Sequence, residues 1–348
     1  MPVLPNSHEA LLKNRESLRG RLAVLGPADI GLIPALAGAG LAVTEHVGLW
    51  QQLGAIDGWK AAFGYDDPAL LPAMADTVVV FVPKARAELA LRLELARWLA
   101  AKGARLIMVG EKKEGIAGAA KQLKAVAPGA DKVDSARHCQ VWQADNVQPL
   151  EAFDVREWLE WHPVECCGIR FDVAGLPGIF SAGELDAGTA MLLGSLVDFR
   201  LREGRVLDFA CGAGVIGTWL QLYRRSIAQA EVPVDGVDVQ SQAVICARST
   251  YQHAGADGVI TASDGLVNVD GKYAAVLSNP PFHAGIRTDT SMTEQFLRQV
   301  AEHLEPGGEL RLVANSFLPY EELMRRHVGQ VRAIAGDRRF TVWSARRY

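Results

Sequence analysis

The chain has 348 residues, 49% of them hydrophobic and 22% charged, which fits a globular protein of about two cores and excludes a disordered or fibrous one. A formal net charge of −4 gives no global attraction to polyanions, so a nucleic-acid partner would have to meet local positive patches. Five cysteines (Cys139, Cys166, Cys167, Cys211 and Cys246), without a C-x-x-C pair or metal-ligand spacing, predict reduced thiols and no metal site.

In chain order, the N-terminal run MPVLPNSHEALLKN has no basic stretch followed by an apolar one, so no export signal is expected. The most apolar window, 31–43, is interrupted by Gly and Pro and is too short to cross a bilayer, which predicts a soluble, cytoplasmic protein. Buried strands are expected at RLAVLGP (21–27) and DTVVVFVPKA (76–85). The run AELALRLELARWLAAKGARLIMVG (87–110) reads as a helix, a glycine turn and another buried strand. A boundary falls near EWLEWHPVECCG (157–168), because a β-like stretch, IRFDVAGLPGIFS, follows it. The expected domains are 1–160 and 166–348, with Trp158 and Trp161 in core between them.

The second half alternates strand and helix. RVLDFA (205–210), VDGVDV (234–239), GVITAS (258–263), YAAVLS (273–278) and GELRLVANS (308–316) read as strands. Between them, VIGTWLQLYRRSIAQ has helical spacing, SQAVICARSTYQHAG is a helix opened by Ser241 and closed by Gly255, and SMTEQFLRQVAEHL is a third. Such alternation means an α/β fold with a parallel sheet, whose ligands bind outside the carboxyl ends of the strands. The first half repeats this order, RLAVLGP standing where RVLDFA does and DTVVVFVPKA where YAAVLSNPPF does. It lacks a Gly-x-Gly, has no acid at the place of Asp208, and has Val-Pro-Lys for Asn-Pro-Pro-Phe. A duplicated domain whose first copy has lost its chemistry is expected; two unrelated α/β domains are the alternative.

Within LDFACGAGVIG, Gly212, Gly214 and Gly217 form a G-x-G-x-x-G between a strand and a helix, where a ligand can approach the backbone. Asp238 closes the next strand, placed to accept from ribose hydroxyls. These residues alone fit a nicotinamide dinucleotide, S-adenosylmethionine or a structural turn. Asp208, at a position that a dinucleotide fingerprint keeps apolar, can meet a methionine ammonium directly or through water, and Asp264 can accept from an adenine amine or serve as a turn residue. With Asn279 after the fourth strand, four polar residues fall on successive strand ends, which favours S-adenosylmethionine.

The Pro pair in SNPPFH ends a strand and stiffens the loop after it. Asn279 can offer a side-chain carbonyl and Pro280 a backbone carbonyl to the two N–H groups of a planar amine, with Pro281 fixing their direction and Phe282 stacking on the base. His283 is read as a shaper of the loop and Cys211 as packing. The tail 324–348 carries seven arginines against one acid, Asp337, and is either a basic patch or a solvated face.

VLDFACGAGVIG, SNPPFH, GGELRLVANSFLPY, PGIFSAGELDAGT and, in the first half, KVDSARHCQVW together resemble the RsmC family of bacterial ribosomal RNA small subunit methyltransferases C. The resemblance implies two tandem Rossmann-like class I methyltransferase domains with mostly parallel seven-stranded sheets, the N-terminal copy degenerate; that copy is expected to dock the substrate and to help the second domain fold or stay soluble. It implies methyl transfer from S-adenosylmethionine to a guanine N2 of 16S rRNA in an assembled 30S subunit, by a monomer without metal. Asp208, Gly212, Gly214, Asp238 and Asp264 would bind the cofactor; Asn279, Pro280, Pro281 and Phe282 would be catalytic; Phe180, Ser181 and Asp186 would close over the cofactor. Related Asn-Pro-Pro enzymes act on large-subunit rRNA, adenine N6 or protein glutamine, and a non-catalytic assembly factor is the alternative from another class.

Overall fold

The computed structural model describes residues 3–36, 38–179, 185–280 and 290–348. The backbone divides into two units, Met1–Trp158 and Leu159–Tyr348. In the first, β1 (Leu22–Leu25), β2 (Gly40–Thr44), β3 (Trp59–Phe63), β4 (Ala75–Phe81), β5 (Ala100–Glu111), β6 (Asp131–Ala136) and β7 (Cys139–Ala144) form a sheet in the order β3-β2-β1-β4-β5-β7-β6. Helices α1 (Asn6–Lys13), α2 (Leu32–Ala35), α3 (Val47–Leu53), α4 (Arg86–Leu99) and α5 (Ile116–Val126) connect and flank these strands.

The second unit opens with a hairpin of β8 (Glu160–Cys166) and β9 (Ile169–Gly175). Its main sheet contains β10 (Val206–Phe209), β11 (Val234–Asp238), β12 (Ile260–Ala262), β13 (Tyr273–Ser278), β14 (Leu304–Asn315), β15 (Gly329–Gly336) and β16 (Phe340–Arg347), ordered β12-β11-β10-β13-β14-β16-β15. Helices α6 (Ala187–Asp198), α7 (Val215–Ser226), α8 (Ser241–Ala254), α9 (Thr290–His303) and α10 (Tyr320–His327) complete it. Five strands of each sheet pair in parallel, and the sixth in the order, β7 or β16, runs against both of its neighbours. The two orders are the same, and so is the register shift where the fourth strand meets the fifth, at Ala75/Thr77 and at Tyr273/Ala275. Two copies of one fold are what the repeated sequence order predicts.

The central parallel strands are apolar over most of their length, as burial on both faces favours. All six residues of β13 are buried, and Val78, Val79 and Val80 of β4 are fully so. The order in which strands are added reverses between the parallel neighbours β10 and β13, so their carboxyl ends flank the switch point at which such sheets bind ligands. Two details differ from expectation. Helix α8 is capped by Gln240, with Ser241 its first helical residue, because Asp238 ties down the Gln240 amide. Trp161, expected in core, is 42% exposed and its ring lies against His253.

Pairing registers align the two sheets residue by residue. Leu22 of β1 faces Thr77 and Gly40, whereas Val206 of β10 faces Ala275 and Val234. Val24 thus takes the place of Asp208, Thr44 that of Asp238, and Phe81 that of Asn279. The space over the end of β1 is filled by Arg92 of α4: a Cβ on Gly26 would come within 2.1 Å of its guanidinium. Arg92 donates to the Phe81 carbonyl at 2.6 Å, Glu45 at 2.7 Å and Glu88 at 2.8 Å, while Tyr65 donates to Glu45 at 2.8 Å. The first sheet has closed its own rim with a buried ion-pair cluster. Removing one member of such a cluster leaves a charge without its counterion, so Arg92→Met should destabilise the chain by about 3–5 kcal/mol. Scanning calorimetry of that variant is the check.

Candidate active site

After β10 the chain turns through Ala210, Gly212 and Gly214 at φ of 56°, 53° and 80°, the left-handed region that glycine enters without strain. Gly214 caps α7. The loop is fastened to β11 by Asp238, whose carboxylate accepts from Gly212 N at 2.9 Å and from Gln240 N at 3.0 Å. A Cβ on Gly212 would meet nothing within 4 Å, whereas one on Gly217 would come within 1.8 Å of the Tyr251 hydroxyl. Gly212 therefore leaves open space beside the loop, and Gly217 lets α7 pack tightly on α8. These are the two distinct tasks of glycines in nucleotide-binding turns.

Asp208 lies beneath that loop, fully buried, and accepts from Gly217 N at 3.3 Å through Oδ2. Among the described residues its Oδ1 has no partner. Burial pushes the carboxyl well above the usual carboxylate range, and the neighbouring Asp238 adds to the effect. Burial likewise raises the Cys211 thiol, which suits the packing role expected of it rather than a nucleophilic one.

At the switch point, Ser278 Oγ donates to the Phe209 carbonyl at 2.9 Å, tying the end of β13 to that of β10. The next residue, Asn279, donates its side-chain amide to Asp186 Oδ2 at 2.8 Å and to Thr189 Oγ1 at 2.9 Å. Asp186 is the N-cap of α6 and also accepts from Thr189 N at 2.9 Å. With both amide hydrogens committed on one side, Asn279 Oδ1 faces the other way as an acceptor. Pro280 follows, buried, and contributes a carbonyl but no N–H.

Gly212 and Asp238 are thus joined by a hydrogen bond, Asp208 lies beneath the same loop bonded to Gly217, and Asn279 and Asp186 form a second bonded pair. Asp264 lies on the same rim, two residues past β12 and exposed, and the described residues give it no hydrogen bond. Phe180, Ser181, Pro281, Phe282 and His283 lie outside the described residues. Thr189 and Ser278 were not singled out from the sequence. Thr189 stands in the LDAGT stretch, three residues after an N-cap aspartate, which is the local signal that could have found it.

Two doubly wound sheets in one chain, only the second keeping an open glycine loop, make a two-domain Rossmann-like methyltransferase. The Methyltransferase small domain family matches residues 170–344, and the Methyltransferase small domain N-terminal family matches residues 8–162. A ribosomal RNA small subunit methyltransferase C from Hahella chejuensis is 38% identical over 99% of both chains, and one from Stutzerimonas stutzeri 39% identical over 97% of this chain and 98% of its own. The chain belongs to the ribosomal RNA small subunit methyltransferase C family. A solved structure of a T. thermophilus 16S rRNA N2 G1207 methyltransferase, in complex with AdoMet and guanosine, shares the fold at a TM-score of 0.84 and 23% identity, covering 99% of this chain and 92% of that one.

The buried Asp208 makes stability depend on pH. Its carboxyl is neutral in both folded and unfolded chains well below 3.8. As pH rises from there toward the higher folded-state value, the unfolded chain ionises while the fold keeps its proton, so stability falls across that window. Asp208→Asn should therefore raise the melting temperature of the ligand-free chain at neutral pH, by an amount that vanishes below 3.8. Paired thermal melts across that pH range measure the difference.

Proposed function

We propose that this chain transfers a methyl group from S-adenosylmethionine to the exocyclic N2 of a guanine in 16S rRNA, acting as a cytoplasmic monomer on the assembled 30S subunit. The observation that carries the reading is the orientation of Asn279, whose Oδ1 is left as an acceptor at the switch point by the two hydrogen bonds of its amide. The relatives' names give the substrate class.

The residues present fit the cofactor. Among the described residues Asp208 Oδ1 is a buried acceptor without a partner, suited to an ammonium or to the water that meets it, and the open side of Gly212 admits a ligand against the backbone. Gly212 and Gly214 would border it, Asp238 would take the ribose hydroxyls, and Asp264 would take the adenine amine. Phe180 and the segment ending at Asp186 would close over it. S-adenosylmethionine supplies a sulfonium-bound, electrophilic methyl group.

The chain's own work is positioning. Asn279 Oδ1 and the Pro280 carbonyl accept the two N–H groups of the guanine amine, withdrawing it from conjugation with the ring and turning its lone pair toward the methyl. Pro281 holds that direction and Phe282 stacks on the base. Well-oriented positioning of this kind is worth up to about 7–11 kcal/mol. The target guanine must be unpaired or flipped, since its N2 edge is covered in a duplex. The first unit, whose rim its own side chains occupy, would serve to dock the ribosomal substrate rather than to bind the cofactor.

Asn279→Ala should lower kcat by about 10²–10³-fold, the loss typical of a preorganised polar group at a reacting centre. Stabilisation by S-adenosylhomocysteine should persist in that variant. Thr189→Val removes one of the two bonds that orient the amide and should lower kcat about two- to tenfold, in line with about 0.5–1.5 kcal/mol for one hydrogen bond. Substrate identity is tested by transferring labelled methyl to 30S particles and digesting the RNA to nucleosides. Label in N2-methylguanosine is expected; label in N6-methyladenosine or in protein would overturn the assignment.

A further inference from the structure

The rim of the second sheet has two halves. The glycine loop and its acids stand over β10 and β11, while β13, β14 and β16 end on the other side of the switch point. Strand β13 pairs Ser278 with Leu312 of β14, which in turn pairs Asn315 with Phe340 of β16. The turns 315–319 and 336–340 therefore stand side by side, about 10 Å beyond the level of Ser278.

These two turns are stitched together. Ser316 N donates to the Arg339 carbonyl at 2.9 Å, and Ser316 Oγ to the Asp337 carbonyl at 3.2 Å. Asp337 Oδ1 accepts from Arg339 N and Phe340 N, both at 2.7 Å. Leu318 and Tyr320 are buried just past Phe317. Phe317 itself is 80% exposed, ahead of Val259 at 66% and of every other large hydrophobic away from the chain ends among the described residues. A single exposed ring is ordinary on a protein surface, so its meaning depends on the groups beside it.

Two cations stand beside it, with Asp337 close enough to Arg339 to feel its charge. Arg338 and Arg339 are exposed, and among the described residues neither guanidinium forms an ion pair, whereas Arg325 and Arg326 are paired with Glu321 and Glu322. Arg339 instead lies over the Phe340 ring at 5.1 Å. That ring borders the catalytic assembly: a Cβ on Gly188 would be 3.5 Å from it, and Gly188 is two residues from Asp186.

An exposed aromatic beside unpaired cations is the combination that binds single-stranded nucleic acid, by base stacking and phosphate contact. We infer that Phe317, Arg338 and Arg339 form a docking platform for the single-stranded RNA that flanks the target guanine. Phe317 stacks on a neighbouring base, and the two guanidinium groups take adjacent phosphates. The inference rests on the RNA methyltransferase reading and adds where the strand runs: from the pocket across β14 toward β16.

The test is steady-state methyl transfer to 30S particles at several salt concentrations. Phe317→Ala should raise KM for the particle about 5- to 100-fold, with kcat and stabilisation by S-adenosylhomocysteine little changed, and Phe317→Trp should restore KM. The double variant Arg338→Ala/Arg339→Ala should raise KM and flatten its dependence on log salt by about 0.7 for each phosphate that is no longer neutralised. Unchanged KM in both variants, or a fall confined to kcat, would overturn the platform. So would a raised KM with an unaltered salt slope in the arginine variant, which would mean contact with a protein of the particle. Absence of transfer by the unsubstituted chain would instead defeat the methyltransferase reading itself.

Discussion

Asn279 spends both of its amide hydrogens on one helix, on Asp186 at its cap and Thr189 a turn later, and the rest of the site takes its geometry from that commitment. A side-chain amide is a two-ended group whose oxygen and nitrogen differ little in shape, so only its partners decide which end meets a ligand. Here the partners include a carboxylate, and hydrogen bonds to ionised groups are the stronger kind. The same carboxylate caps α6 through Thr189 N, so the cap cannot shift without releasing the amide. Ser278, one residue earlier, holds the Phe209 carbonyl. The acceptor is thereby fixed with respect to the strand that carries Asp208 and the glycine loop.

The two sheets show what becomes of the same scaffold with and without that arrangement. Where the second has Asn279 the first has Phe81, whose carbonyl is taken by Arg92. Where the second has Asp264 the first has Tyr65, bonded to Glu45. The two fourth-to-fifth strand crossovers begin their fifth strands at Ala100 and Leu304, which puts Arg92 at the helical position of Phe296. Phe296 lies against Phe209 at 4.3 Å and stays below the rim, in the core. A guanidinium at that position reaches up over Gly26 and gathers acceptors that would otherwise face a ligand. One aromatic-to-arginine difference, with two glutamates to pair it, accounts for a closed rim.

Much of this was legible in the sequence, because the signals are local. Apolar runs bounded by glycine mark the parallel strands, and the repeated order of elements marks the duplication. Asp208, Gly212 and Asp238 could be placed from their positions at strand ends. Thr189 offers a local signal three residues after an N-cap aspartate, but its bond to Asn279 spans 90 residues and could not be read. The antiparallel pair β15 and β16 was also hidden: β15 is largely exposed and, with its turn, carries arginines, so the tail reads as a charged surface rather than as strands. The plug in the first unit required the register of four strands before Arg92, Glu45, Tyr65 and Gly26 could be seen to meet. The bare glycine pattern gave no hint that Gly212 opens space while Gly217 closes it.

The net charge of −4 and an RNA substrate are compatible once the arginines are sorted by their partners. Beyond about 10 Å ordinary salt screens one exposed charge from another, so the global total matters less to docking than the few groups at the contact. Of the tail's arginines, Arg325 and Arg326 are neutralised by glutamates one helical turn away, and Arg332 lies over Phe199. Arg347 donates to the Leu304 carbonyl, at the end of β14 remote from the rim. What is left at the rim is Arg338 and Arg339; the exposed Asp337 beside them accepts from the backbone of the turn, and among the described residues neither guanidinium has an ion-pair partner. The contact that an RNA strand would meet there depends on these few groups rather than on the chain's total charge.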